Sequence, residues 1–184
     1  MVKVAAKAAG HGRWLALGLA LGLGAALALA LAAPPAEAEG ATYLRADRVL
    51  VIKSERRLQL LRGRTVLHEF RVSLGFDPVG HKLAEGDGRT PEGRYLLDGF
   101  NTESSFYRSI HISYPNGVDQ LRAAHRGERT GGNIMIHGLP NGVDWKWDFR
   151  GGSDWTSGCI AVSNEAMDVI WVSVSPGTPI DIRP

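Results

Sequence analysis

The chain has 184 residues, a formal charge of +2 from 21 Lys and Arg against 19 Asp and Glu, and one cysteine. That length supports one domain with a core of its own, and one cysteine excludes an internal disulfide framework. Removing residues 1–38 takes away Lys3, Lys7, Arg13 and one acid, Glu37, which cancels the net charge, so no basic field argues for a nucleic-acid partner.

Residues 1–38 read as a targeting segment. Lys3, Lys7 and Arg13 precede an almost unbroken Leu, Ala and Gly run from Trp14 to Ala33, and Ala36-Glu37-Ala38 fits the small-x-small cleavage rule. The apolar run exceeds the ~7–15 residues usual for a secretory core. It approaches the ~20 residues that span a bilayer, so an uncleaved anchor is the alternative, and the membrane is then a partner only through this segment. With no cysteine near the leader, a lipid-modified N-terminus is excluded. Both readings place the domain, residues 39–184, outside the cytoplasmic membrane, in the periplasm or cell envelope.

From Arg48 the pattern is strand-like. Val49 to Ile52, Leu58 to Leu61 and Val66 to Leu74 predict a three-stranded meander, with turns at Ser54–Arg57 and Arg62–Arg64. Gly75 to Gly93 is rich in Gly, Pro and charge and has too few apolar residues for a regular element. A connection of that length is usually functional, the alternative being a solvated excursion. Strands resume at Arg94–Leu97 and Tyr107–Ser113, with a polar turn carrying Asn101, Ser104 and Ser105 between them.

Tyr114-Pro115-Asn116-Gly117 is a stop signal. A short helix follows over Val118–Arg126, capped by Asn116 or Gly117, and the strand Asn133–Ile136 delivers His137. Pro140 to Thr156 is a loop with Trp145, Trp147 and Trp155. Cys159–Val162 is a strand. Ser163 or Asn164 caps a helix whose Ala166, Met167, Ile170, Trp171 and Val174 share one face. Thr178–Ile182 is the last strand. The predicted fold is mainly β: a single sandwich-like or barrel-like domain with one or two peripheral helices.

Chemistry concentrates in two stretches, Ile134-Met135-Ile136-His137-Gly138 and Thr156-Ser157-Gly158-Cys159-Ile160-Ala161-Val162. A thiol attacks as the thiolate, and a nearby imidazole can take its proton. Gly158 lets a carbonyl approach the backbone, and the amides of Gly158 and Cys159 are expected to face a developing oxyanion. The second nitrogen of His137 needs an acceptor, either a backbone carbonyl or Asp144 or Asp154. The five histidines beyond the leader lack ligand spacing and one cysteine is too few, so no metal site is expected.

These residues resemble the L,D-transpeptidase (YkuD-like) catalytic domain over about residues 46–183. Val72-Ser73-Leu74-Gly75, Pro78 to Lys82, Gly86 to Gly93 and Ile112 to Asn116 carry the resemblance alongside His137-Gly138 and Gly158-Cys159. It implies a β-sandwich of this size and no cofactor. It implies acyl transfer on peptidoglycan stem peptides through a thioester on Cys159, with His137 as general base and the Gly138 carbonyl orienting it. Resolution by water, cutting a stem peptide or freeing a wall-attached protein, is the rival outcome. A non-catalytic wall-binding module with Cys159 simply buried is the third reading.

The usual motif of the family has Arg where this chain has Ala161. The Asp154 to Val162 form resembles a subgroup that includes enzymes releasing proteins from peptidoglycan. Trp155, Ser157, Arg150, His111 and Arg89 are the candidate substrate contacts, and Lys82 is another cation able to stand in for the missing Arg.

Overall fold

The computed structural model describes residues 44–142 and 153–184. The predicted leader, residues Trp145 and Trp147, and the candidate contact Arg150 lie outside the described residues. Among the described residues no helix is long and apolar enough to cross a membrane.

The expected meander forms. β1 (Arg48–Ile52), β2 (Arg57–Arg62) and β3 (Thr65–Arg71) pair antiparallel in sequence order. Alternation decides which side chains turn inward: Val49, Val51, Leu58 and Leu60 are fully buried, and the pairs Val49–Leu60 and Val51–Leu58 face each other in register. Between β1 and β2 lies a single 3-10 turn over Lys53–Glu55, closed by Arg56 in the left-handed region at φ 48°.

β4 (Gly93–Asn101), β5 (Ser109–Ile112), β6 (Met135–His137), β7 (Ile160–Ala161) and β8 (Thr178–Arg183) complete one eight-stranded sheet of order β3-β2-β1-β8-β4-β5-β6-β7. β8 is central, parallel to β1 and antiparallel to β4. The sheet curls on itself. The chain just beyond β3 reaches β7 at the far end, where Ser73 and Ala161 exchange both backbone hydrogen bonds at 2.9 and 2.8 Å. The mainly β, barrel-like expectation holds.

Two helices flank the sheet. α1 (Gly117–Arg126) starts in a capping box: the Asn116 side chain accepts from the amides of Val118 and Asp119, and the Asp119 carboxylate accepts from the Asn116 amide. α2 (Asn164–Ser173) is capped by Ser163, and Ala166, Met167 and Ile170 are buried on its inner face. Trp171 is only partly buried, edge-to-face on Phe100 with centroids 5.0 Å apart.

The long connection between β3 and β4 is built, not a solvated excursion. Buried Lys53 donates to the carbonyls of Gly80 and Thr90 and to Glu92. Buried Lys82 donates to Asp87 at 2.8 Å. Burial opposes ionisation of Asp87, but the bonds from Lys82 and from the amides of Ala84, Arg89 and Leu83 outweigh it and hold the carboxyl at about 2. His81 receives the Glu92 amide on Nδ1 and meets the Asp119 carboxylate through Nε2 at 3.1 Å, tying the connection to the start of α1.

Candidate active site

β6 and β7 run parallel with Ile136 opposite Ile160 and His137 opposite Ala161. That register sets Cys159 beside Met135, so Cys159 and His137 sit diagonally across neighbouring strands on one face. Diagonal neighbours in a sheet are about 7–8 Å apart at the backbone, within reach of long side chains. Both residues line one cavity of about 510 Å³.

His137 is 4% exposed, and its Nδ1 lies 2.7 Å from the Gly138 carbonyl oxygen. A carbonyl only accepts, so Nδ1 carries the proton and Nε2 keeps its lone pair. Of the expected acceptors, the backbone carbonyl is the one used; Asp154 is engaged elsewhere. Phe106 and Trp155 flank the imidazole, with centroids 4.6 and 5.7 Å away. Burial pushes the His137 pKa down, partly offset by the Gly138 bond. Gly138 itself is required by crowding: a Cβ there would meet Asn164 Oδ1 at 2.6 Å and Tyr107 Cβ at 2.8 Å.

Cys159 is half-buried, and its Sγ donates to the Asn133 carbonyl at 3.6 Å. Burial pushes the thiol pKa up, while the Met135 amide and the Lys82 charge pull it back. Among the described residues, of the cations the sequence offered in place of the missing Arg, Lys82 is the one whose charge bears on the thiol. Both directions favour the uncharged forms, a thiol and a neutral imidazole lining the same cavity.

The turn before the sulfur is held from three sides. The Thr156 hydroxyl donates to the Cys159 carbonyl at 2.8 Å and accepts the Gly158 amide at 3.1 Å. The Gly158 amide is therefore spent inside the turn and does not face the cavity, contrary to expectation; the Cys159 amide takes no part in that ring. Asp154 accepts from Arg56 Nη2 at 2.7 Å and from the Leu74 amide at 2.9 Å. Gly158 has φ +130°, and a Cβ there would meet the Arg89 carbonyl oxygen at 2.7 Å.

The predicted contacts divide. Trp155 and Ser157 line the cavity. Arg89 supplies its carbonyl beneath Gly158, while its guanidinium pairs with Asp77 and is not among the cavity-lining groups. His111 shares a register row with Met135 and therefore a sheet face with the site, but it binds Asp98 at 2.6 Å and does not line the cavity. The sequence reading missed Phe106, placed just outside a predicted strand, along with Glu103 and Ser109. Asn101, Ser104 and Ser105 were read only as a polar turn, yet they form the cavity wall. Among the described residues no group of three or more His, Cys, Asp or Glu could hold a metal.

Comparison with known proteins agrees with this geometry. Residues 46–182 match the family model for the L,D-transpeptidase catalytic domain, YkuD. The chain belongs to the L,D-transpeptidase catalytic-domain family. Among solved structures it is similar to the helical cell shape determining protein Pgp2 from Campylobacter jejuni, with 27% identity, a TM-score of 0.57, and coverage of 73% of this chain and 46% of that one. It is also similar to Bd1075 from Bdellovibrio bacteriovorus, with 26% identity, a TM-score of 0.50, and coverage of 78% and 49%. An L,D-transpeptidase from Mycobacterium smegmatis shares the fold at 13% identity, a TM-score of 0.50, and coverage of 74% and 58%. The chain thus spans about half the length of the first two. The comparison with curated proteins returned no match.

Proposed function

We propose that this chain is an exported cysteine acyltransferase that acts on peptidoglycan stem peptides in the cell envelope. The observation that carries the reading is the shared cavity: Cys159 and His137 open into one space, and the Gly138 carbonyl locks the imidazole with Nε2 free. Family membership and the basic, apolar leader support the substrate and the compartment. The cell-shape function named for Pgp2 is consistent with a wall substrate.

His137 Nε2 takes the Cys159 proton as Sγ attacks the L-centre carbonyl carbon of the third stem residue. Burial disfavours the separated ion pair at rest, so proton transfer accompanies attack. The oxyanion is assigned to the Cys159 amide, since Thr156 holds the Gly158 amide. His137 then hands its proton to the departing amine of the terminal D-residue, leaving a thioester. An amine, from another stem or from a wall-attached protein, resolves it. Trp155 and Ser157 contact the stem along the cavity wall.

Incubation with purified muropeptides tests this. Crosslinked dimers mean transfer; shortened stems or freed protein mean hydrolysis by the same pair. Cys159→Ala abolishes either product while the protein stays folded. A carbapenem adds its mass to wild-type Cys159 in intact-protein mass spectrometry, and no adduct on folded protein refutes the reading.

A further inference from the structure

Ser109 opens β5, is 1% exposed, and lines the same cavity as the thiol. Its hydroxyl has no hydrogen-bond partner among the described residues. Buried hydroxyls are almost always bonded, so an exception calls for an explanation. Ser173 is likewise without a partner but sits at the end of α2, away from the cavity lining. Among the described residues Ser109 is thus the unpaired serine at the cavity lining, its hydroxyl oxygen covered in this conformation.

Its position in the sheet is specific. Ser109 pairs with His137 across β5 and β6, and with Asn101 across β4 and β5. Directly opposed residues in an antiparallel pair have Cβ atoms about 4.5–5.5 Å apart. The hydroxyl therefore lies beside the imidazole, on the strand away from Cys159. The two side chains share a sheet face, and a χ1 rotation re-aims the Ser109 hydroxyl within the cavity lining.

Resting on the acyltransferase reading, we propose that Ser109 is a substrate contact for the reacting amine, its hydroxyl accepting an N–H that His137 does not take. The amine attacks the thioester carbonyl carbon, the C–N bond forms and the C–S bond breaks. One amine proton passes to His137 Nε2 and on to the departing thiolate, and the remaining N–H stays with the amide product. Held by Ser109, that N–H turns the nitrogen lone pair toward the carbonyl. Water can donate to the same hydroxyl but carries no substituent for the cavity wall to hold, so the contact aligns an amine more tightly than water. By reversibility the same contact serves the departing amine of the D-residue. Glu103 is the one carboxylate among the described lining residues, and no Lys or Arg lines the cavity among them, which suits entry of an amine.

The experiment uses a tetrapeptide muropeptide as donor and D-methionine as soluble amine. Exchange product, tripeptide from hydrolysis and release of the terminal D-residue are quantified, and thermal stability is measured alongside. Ser109→Ala is expected to lower the exchange-to-hydrolysis ratio about tenfold and to raise KM for D-methionine. Its Tm is expected to stay level or rise, because the hydroxyl it loses has no protein partner. Ser109→Thr, which keeps the hydroxyl, restores the ratio. If the wild type only hydrolyses, the same tenfold loss is read in kcat/KM for D-residue release. A lowered Tm with unchanged ratio and release overturns the proposal and makes the hydroxyl structural. Absence of both turnover and a carbapenem adduct in the wild type overturns the acyltransferase reading and this inference together.

Discussion

The Thr156 hydroxyl donates to the Cys159 carbonyl oxygen at 2.8 Å, so a residue three places before the sulfur fixes the backbone that carries it. The Thr156 hydroxyl oxygen in turn accepts the Gly158 amide, which makes one side chain the organiser of the whole turn. Removing it leaves a buried amide without its acceptor and the thiol without a fixed origin. Thr156→Ala should cost about 1–3 kcal/mol of stability and, through misplacement of the sulfur, up to about 100-fold in turnover. Thr156→Ser should recover most of both, checked by calorimetry and muropeptide assays.

Gly158→Ala should be worse for folding than its size suggests. Its φ of +130° is a region that alanine disfavours, and the added carbon would sit 2.7 Å from the Arg89 carbonyl oxygen, a backbone atom with little freedom to yield. A loss of at least about 2 kcal/mol is expected, measured by urea unfolding. An unchanged midpoint would show that the turn relaxes freely.

Asp154 binds Arg56, 98 residues away in sequence, and the Leu74 amide, 80 residues away. Arg56 is one-third exposed, so solvent screens the ion pair, but the amide bond is more sheltered. Asp154→Ala should cost about 2–3 kcal/mol, and Arg56→Ala less, about 1 kcal/mol, because the Leu74 amide keeps its acceptor. A double-mutant cycle measures the coupling. Equal effects of the two single changes would contradict this ranking.

The pH dependence of stability follows from the resting neutral pair. Burial holds His137 below its ordinary 6.5, so as pH falls through that value the unfolded chain binds the proton first. Stability from this group is complete above 6.5 and declines as pH drops toward the folded value. Burial holds Cys159 above 9.0, so the unfolded chain loses its proton first as pH rises, and stability is complete below 9.0 and declines above it. Scanning calorimetry between pH 5 and 10 should give a Tm plateau bounded on both sides. Cys159→Ala should remove this thiol's part of the alkaline decline and leave the acid side. Persistence of the full alkaline decline in that variant would show that other groups cause it.

Much of this was readable from residue order. Asn116 or Gly117 announces α1, Ser163 or Asn164 announces α2, and the apolar runs at Val49 and Leu58 give the meander, because each signal is local. The Cys–His pairing was legible only as two motifs; their shared face depends on the parallel register of β6 and β7, which no local signal sets. The strand expected at Tyr107 begins at Ser109 because Tyr107 takes φ 59° and turns Phe106 onto the imidazole. The Gly158 amide was assigned outward because a glycine beside a cysteine says nothing of a threonine hydroxyl folding back to claim it. Register and side-chain reach across the chain, rather than composition, decided each of these.

The last strand in sequence lies in the middle of the sheet, its neighbours being the first strand and the fourth. A chain without this strand has nothing to join those two. Partial chains that lack it therefore expose two unmatched edges, and the first and fourth strands close into one sheet only when it arrives.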